Sequence, residues 1–317
     1  MAMIEAKKLR KVFGPIEAVR GVSFTVNKGE ALGFLGPNGA GKSTVMRMLT
    51  CFLTPTSGTA IVGGHDILTD SMEARRVVGY LPENSPLYGD MSVNSFLRFI
   101  GEMRGYRGAD LESRVDAVAE KCWLKDVRQQ RLDTLSKGYM RRVGLAQALI
   151  HDPPILILDE PTDGLDPNQK HEVRLLIQQM TADKSIIVST HILEEVEAIC
   201  TRAIIVAKGA IVADDTPANL KKRSKIHNAV RLAIQSGKDE VTKDVFKALA
   251  DVQEVKAEEK TDGLSRFLIY PKKDKSITRD IVRLVRDRGW ELSELHVEEG
   301  DLNEVFRSIT IKEGAHT

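Results

Sequence analysis

Four short runs, Ala31 to Leu35, Ile155 to Leu158, Ile186 to Ser189 and Ala203 to Ala207, are apolar almost throughout, with none of the alternation that a half-exposed strand shows. Strands of a parallel sheet read this way because helices cover both of their faces. Helix-period segments separate them, among them an amphipathic stretch after Thr190, so the first 220 residues predict a mainly parallel α/β sheet with helices packed on it. From about Met91 to Leu132 the pattern becomes wholly helical in "VNSFLRFIGEMRG" and "LESRVDAVAEKCWL", which predicts a helical insertion within residues 84–134. A turn-rich segment, "LPENSPLYGD", leads into it.

Beyond Leu220 the texture changes. "KKRSKIHN" reads as a solvated linker, "AVRLAIQ" and "SRFLIYP" as strands, and Val241 to Leu249, Ile277 to Arg288 and Leu302 to Ile309 as helices. A small two-layer α+β domain over residues 226–312 is the simplest arrangement, with a ferredoxin-like order as one way to build it.

Chemistry enters at "FLGPNGAGKSTVMRML". Gly36-x-x-x-x-Gly41-Lys42-Ser43 follows the strand Ala31 to Leu35 and precedes a helix expected over Val45 to Leu53. Glycines let the backbone turn sharply and approach a ligand, and amides at a helix start converge on an anion. Such a loop predicts that Asn38, Gly39, Ala40, Gly41, Lys42, Ser43 and Thr44 surround a triphosphate, with Lys42 on the outer phosphates and Ser43 on Mg²⁺. At the end of Ile155 to Leu158, Asp159 is placed to hold the metal and Glu160 to act as base on the attacking water. Thr190 and His191 close another strand at its carboxyl end, where parallel α/β sheets bind ligands.

Composition narrows the class. The 317 residues are 42% hydrophobic and 29% charged, which suits a globular protein of about two domains. Lys and Arg total 46 against 45 acidic residues, so the net charge of +1 supplies no bulk attraction to nucleic acid. Cys51, Cys122 and Cys200 have no metal-ligand spacing and suit a reducing cytoplasm. The opening residues lack the apolar core of a signal peptide, and no apolar run approaches the roughly 20 residues of a membrane helix. The expectation is a protein without direct membrane insertion.

With "TLSKGYMRRVGLAQAL", these motifs give residues 1–220 a resemblance to the ATP-binding cassette (ABC) ATPases. Leu135-Ser136-Lys137-Gly138-Tyr139 stands where that family carries Leu-Ser-Gly-Gly-Gln, with Lys137 and Tyr139 departing from the commonest pattern. Ser136 caps a helix whose apolar face is Val143, Leu145, Ala146 and Leu149, leaving an anion site at its start. The resemblance implies that Phe13 stacks on adenine, that Val19 to Val26 form the neighbouring strand, and that Asp163 to Asp166 make a dimer-contact loop. It implies that Ser136, Gly138 and Asp166 meet nucleotide held by a second copy, and that His191 contacts the γ-phosphate. Glu83 stands where the family usually has a glutamine near Mg²⁺; a carboxylate retains an oxygen ligand but adds charge beside the triphosphate.

The fold implied is a P-loop NTPase cassette with a helical subdomain and a C-terminal α+β domain. The activity implied is Mg²⁺-dependent ATP hydrolysis by a homodimer, peripheral on the cytoplasmic face of the membrane. It energises a separate integral membrane permease of the short-loop exporter type, as in multidrug, polysaccharide or gliding-type systems. Tyr88, Met91 and Phe96 either line the permease-facing groove or anchor the subdomain core. The tail looks regulatory or dimer-supporting. A cassette coupled to a non-transport membrane or soluble partner is the alternative. A nucleic-acid cassette fits less well because the insertion is too short for a coiled coil, and a metabolic kinase because no acceptor pocket is visible in the motifs.

Overall fold

The computed structural model describes residues 2–235, 241–258, 264–273 and 275–312. The chain divides into two compact units, 1–217 and 218–317. In the first, β1 (Ala2–Phe13) and β2 (Ile16–Asn27) form an antiparallel hairpin, followed by β3 (Ala31–Leu35), α1 (Lys42–Leu49), β4 (Ser57–Val62), β5 (His65–Asp66), α2 (Ser71–Arg76) and β6 (Val78–Leu81). The helical segment is α3 (Val93–Met103), α4 (Gly108–Lys121) and α5 (Lys137–Leu149). Then β7 (Ile155–Asp159), α6 (Pro167–Thr181), β8 (Ser185–Thr190), α7 (Leu193–Ile199), β9 (Arg202–Ala207) and β10 (Ala210–Asp215) complete it, with the short α8 (Pro217–Lys221) at the boundary.

The main sheet has the order β10-β9-β3-β8-β7-β6 and is parallel except for β10, which returns beside β9 as a hairpin. Every residue of β3, β7 and β8 is buried, which accounts for their unalternated apolar runs. A second, antiparallel sheet has the order β2-β1-β4-β5. Ile4, Leu9, Phe24 and Val62 from this sheet share a core with Phe34, Met46, Ile157 and Ile204, so α1 lies between apolar surfaces. That packing fixes the helix start that follows β3.

Several expectations need correction. The helix after the glycine loop runs from Lys42 to Leu49, not Val45 to Leu53, because Cys51 takes φ +58° and the chain leaves helical geometry. Phe96 does not line a groove: it is fully buried and anchors the helical segment, with the Tyr88 ring 6.2 Å away and packed in turn against Phe99. Tyr88 itself is exposed.

The second unit comprises β11 (Val230–Gln235), α9 (Lys243–Lys247), β12 (Val252–Ala257), β13 (Leu264–Pro271), α10 (Thr278–Asp287), β14 (Glu291–Val297) and α11 (Leu302–Lys312). Its sheet is antiparallel with the order β12-β13-β11-β14, the ferredoxin-like arrangement of a βαββαβ chain. Phe246, Phe267, Ile281 and Trp290 centre its core. The helix expected over Val241 to Leu249 is shorter, since Thr242 is extended and Lys247 ends it. Strands β12 and β14 were not anticipated. Both are edge strands, β14 largely exposed and β12 contributing only Val252 and Val255 to the core, so neither carries an apolar run.

Candidate nucleotide site

The loop between β3 and α1 is shaped by what its glycines allow. A Cβ on Gly36 would fall 2.4 Å from the Val206 carbonyl oxygen, and one on Gly41 2.4 Å from that of Ala18. Gly41 also takes φ +101°, a conformation that L side chains rarely adopt. The backbone can therefore pass under β9 and β2 and deliver the start of α1 to the carboxyl end of β3. Ala40 turns into the protein, where its carbonyl accepts the Gly209 N–H at 3.0 Å.

A cavity of about 410 Å³ opens over this loop, lined by Ala18, Asn38, Gly39, Gly41, Lys42, Ser43, Thr44, Glu83 and Glu160. Lys42 is buried, and its ammonium donates to the carbonyls of Gly36 at 2.7 Å and Pro37 at 3.3 Å. Burial holds its pKa below the usual lysine value, while the charges of Glu160, Asp159 and Glu83 act the other way. A buried cation, a run of small residues and helix-start amides make an anion cradle. Hard oxygen donors suited to Mg²⁺ stand with it in Ser43 and Glu83, and Asp159 at the end of β7 is within electrostatic reach of Lys42.

Glu160 leaves β7 with φ +52°, in the left-handed region. Its N–H donates to the Ser189 carbonyl at 2.8 Å, and its Oε1 lies 2.9 Å from His191 Nδ1. The adjacent ends of β7 and β8 thus bring together two residues that are 31 positions apart. Behind them Thr190 Oγ1 reaches Glu195 at 2.9 Å and Glu160 Oε2 at 3.4 Å. Glu195 is fully buried and also accepts from Thr162; burial raises its pKa above the ordinary carboxylate value.

Other anticipated residues lie elsewhere. Phe13 is half exposed at the end of β1, with Lys11 Nζ 5.2 Å from its ring centroid. Ser136 caps α5 by accepting from the Tyr139 N–H at 3.3 Å, and Asp166 caps α6 by accepting from Gln169 at 2.9 Å. None of these lines the cavity, nor does Gly138. Gly138 is buried, and a Cβ there would meet Leu165 and Gln169 Oε1, because the segment leading into α6 folds onto the start of α5. Lys137 pairs with Asp163 across the same two elements at 2.7 Å. Tyr139 and Trp123 both flank the Arg142 guanidinium.

Sequence reading missed Arg141 and Glu195. Arg141 is buried beside Val143 and Leu145 in the middle of a helix whose apolar face was already evident, and Glu195 stands among Leu193, Val196 and Ile199 on α7. A charge inside an apolar stripe was the available signal for both.

The family model described as ABC transporter matches residues 19–163. The chain is 41% identical over 223 residues to the probable multidrug ABC transporter ATP-binding protein YbhF of Escherichia coli (strain K12), covering 70% of this chain and 38% of that protein. It thus spans well under half the length of that relative. It is 30% identical over 309 residues to the linearmycin resistance ATP-binding protein LnrL of Bacillus subtilis (strain 168), covering 97% of this chain and 98% of that one. Among solved structures it is similar to MJ0796, described as a dimeric bacterial ABC transporter cassette, with TM-score 0.63 and 25% identity over 68% of this chain and 99% of that chain.

Proposed function

This chain belongs to the ABC transporter ATP-binding proteins, and from that premise we propose that it hydrolyses ATP between two copies of itself to drive a separate, exporter-type membrane permease from the cytoplasmic face. The observation that carries the reading is the Glu160 to His191 contact at 2.9 Å beside the cavity that holds Lys42. In this reading the loop amides and Lys42 bind the triphosphate. Glu160 accepts the proton of the attacking water, and His191 orients its carboxylate and reaches the γ-phosphate. Mg²⁺, held by Ser43 and Asp159 with Glu83 nearby, would neutralise charge building on the phosphate oxygens. Phe13 supplies an aromatic face for adenine.

Ser136 and Gly138 lie outside their own cavity, which supports their serving a nucleotide bound by the other copy. The dimeric description of the similar solved cassette supports the same arrangement. ATP favours the closed pair by binding it better than the open one, and hydrolysis removes that bias. The export direction is supported by the multidrug and resistance relatives.

The test is to trap the Glu160→Gln variant with ATP and Mg²⁺ in gently solubilised membranes and identify what co-purifies. A polytopic membrane protein in stoichiometric amount is the expected result. Recovery of soluble protein or nucleic acid alone would overturn the transport reading.

A further inference from the structure

Arg141, on α5, carries none of the roles assigned so far, yet its side chain reaches the backbone on both sides of the site. Its side chain is buried, and one terminal nitrogen donates to the carbonyls of Pro82 at 2.7 Å and Glu83 at 2.9 Å. The other donates to the carbonyls of Asp159 and Glu160. These acceptors lie at the ends of the paired strands β6 and β7, where Leu81 stands beside Leu158. One planar fork therefore spans the two points where the chain leaves the sheet for Glu83 and for Glu160. All four acceptors are neutral backbone oxygens, so the cation forms no bonded ion pair here and serves as a cross-brace.

Glu160 needs such a brace. A non-glycine residue at φ +52° keeps that conformation only where its surroundings hold it. Its N–H is fixed by the Ser189 carbonyl and its own carbonyl by Arg141, so the peptide is gripped from both sides and the side chain is aimed at His191.

We propose that Arg141 is a positioning residue that locks Glu160 in its hydrolytic conformation and ties that lock to the 82–83 segment. A shift of residues 82–83 draws the guanidinium with it and leaves the Glu160 carbonyl to the Asp163 N–H alone, so hydrolysis depends on where that segment stands. This inference rests on the ATPase reading given above. Lysine keeps the charge but offers a single ammonium in place of the fork, and cannot grip both carbonyl pairs.

The experiment measures steady-state ATP hydrolysis by the full chain as wild type, Arg141→Lys and Arg141→Ala, each also in the Glu160→Gln background, with thermal melting alongside. The expected result is a fall in kcat of at least about tenfold for Arg141→Lys, with KM for ATP within about twofold and a cooperative melting transition showing that the variant stays folded. Because the effect acts through Glu160, the same substitution should leave the residual rate of Glu160→Gln nearly unaltered. An unchanged kcat, or an equal loss in both backgrounds, would overturn the proposal. If Arg141→Ala does not fold, Arg141→Lys carries the test alone. A wild type without ATPase activity would sink the functional reading instead, so the two failures are distinguishable.

Discussion

His191 Nδ1 stands 2.9 Å from Glu160 Oε1, a contact made by the ends of two neighbouring parallel strands. A carboxylate held in this way has one oxygen committed to the imidazole and the other directed toward Thr190. Glu160→Gln keeps the shape but removes the proposed base, and is expected to lower kcat by about 10² or more with ATP binding retained. His191→Ala removes the orienting partner and should also lower kcat while leaving nucleotide affinity within a few-fold. Single-turnover hydrolysis together with equilibrium nucleotide binding checks both.

Lys42 is proposed to differ from those two in acting on the ground state. Its ammonium occupies the carbonyls of Gly36 and Pro37 and is surrounded by Glu160, Asp159 and Glu83, so a polyanion offers it a better partner. Lys42→Ala is expected to weaken ATP binding by about tenfold or more, beyond its effect on turnover. Titration with a fluorescent ATP analogue reads this directly.

Gly41 is a test of the loop's geometry alone. Gly41→Ala places a methyl group 2.4 Å from the Ala18 carbonyl oxygen at a φ of +101°. Backbone cannot yield as a flexible side chain does, so the variant should lose about 2 kcal/mol or more of stability and most of its nucleotide binding. Chemical denaturation of the two proteins, with and without ATP, measures both effects.

His151 governs part of the acid response. Its Nε2 meets the Val78 carbonyl at 3.1 Å, its Nδ1 is buried with no hydrogen-bond partner, and burial and then the nearby Arg104 lower its pKa from 6.5 to about 4. The unfolded chain therefore takes up a proton on His151 near pH 6.5, while the folded chain resists until about pH 4. The contribution of this neutral imidazole is complete above pH 6.5 and is lost as pH falls toward 4. His151→Gln should lose about 1 to 2 kcal/mol less than wild type across that window, as read from denaturant midpoints at each pH.

The central sheet was legible because strands such as Ile155 to Asp159 are covered on both faces, and burial writes itself directly into an apolar run. The glycine loop was legible because its backbone geometry demands particular residues at particular spacings. The edge strand Glu291–Val297 was not, since a strand with mostly exposed residues has no need of apolar ones. Arg141 and Glu195 escaped for the opposite reason. The charge within each apolar stripe marks the position, but the partners do not show in the local pattern: Arg141 meets carbonyls 18 to 59 residues away, and Glu195 meets Thr162 33 residues away as well as Thr190. Phe96 shows a related limit, because a helix's apolar residues do not reveal whether a neighbouring segment already covers them.

In the proposed cycle, ATP closes two copies of this chain around shared nucleotide. The most direct measurement is the molar mass in solution, by light scattering, of the full-length Glu160→Gln variant with Mg²⁺ and either ATP or ADP. Twice the monomer mass is expected with ATP and the monomer mass with ADP, with the ATP-dependent doubling abolished by Ser136→Arg at the start of α5. A monomer that has demonstrably bound ATP, or a dimer indifferent to both nucleotide and Ser136, would contradict it.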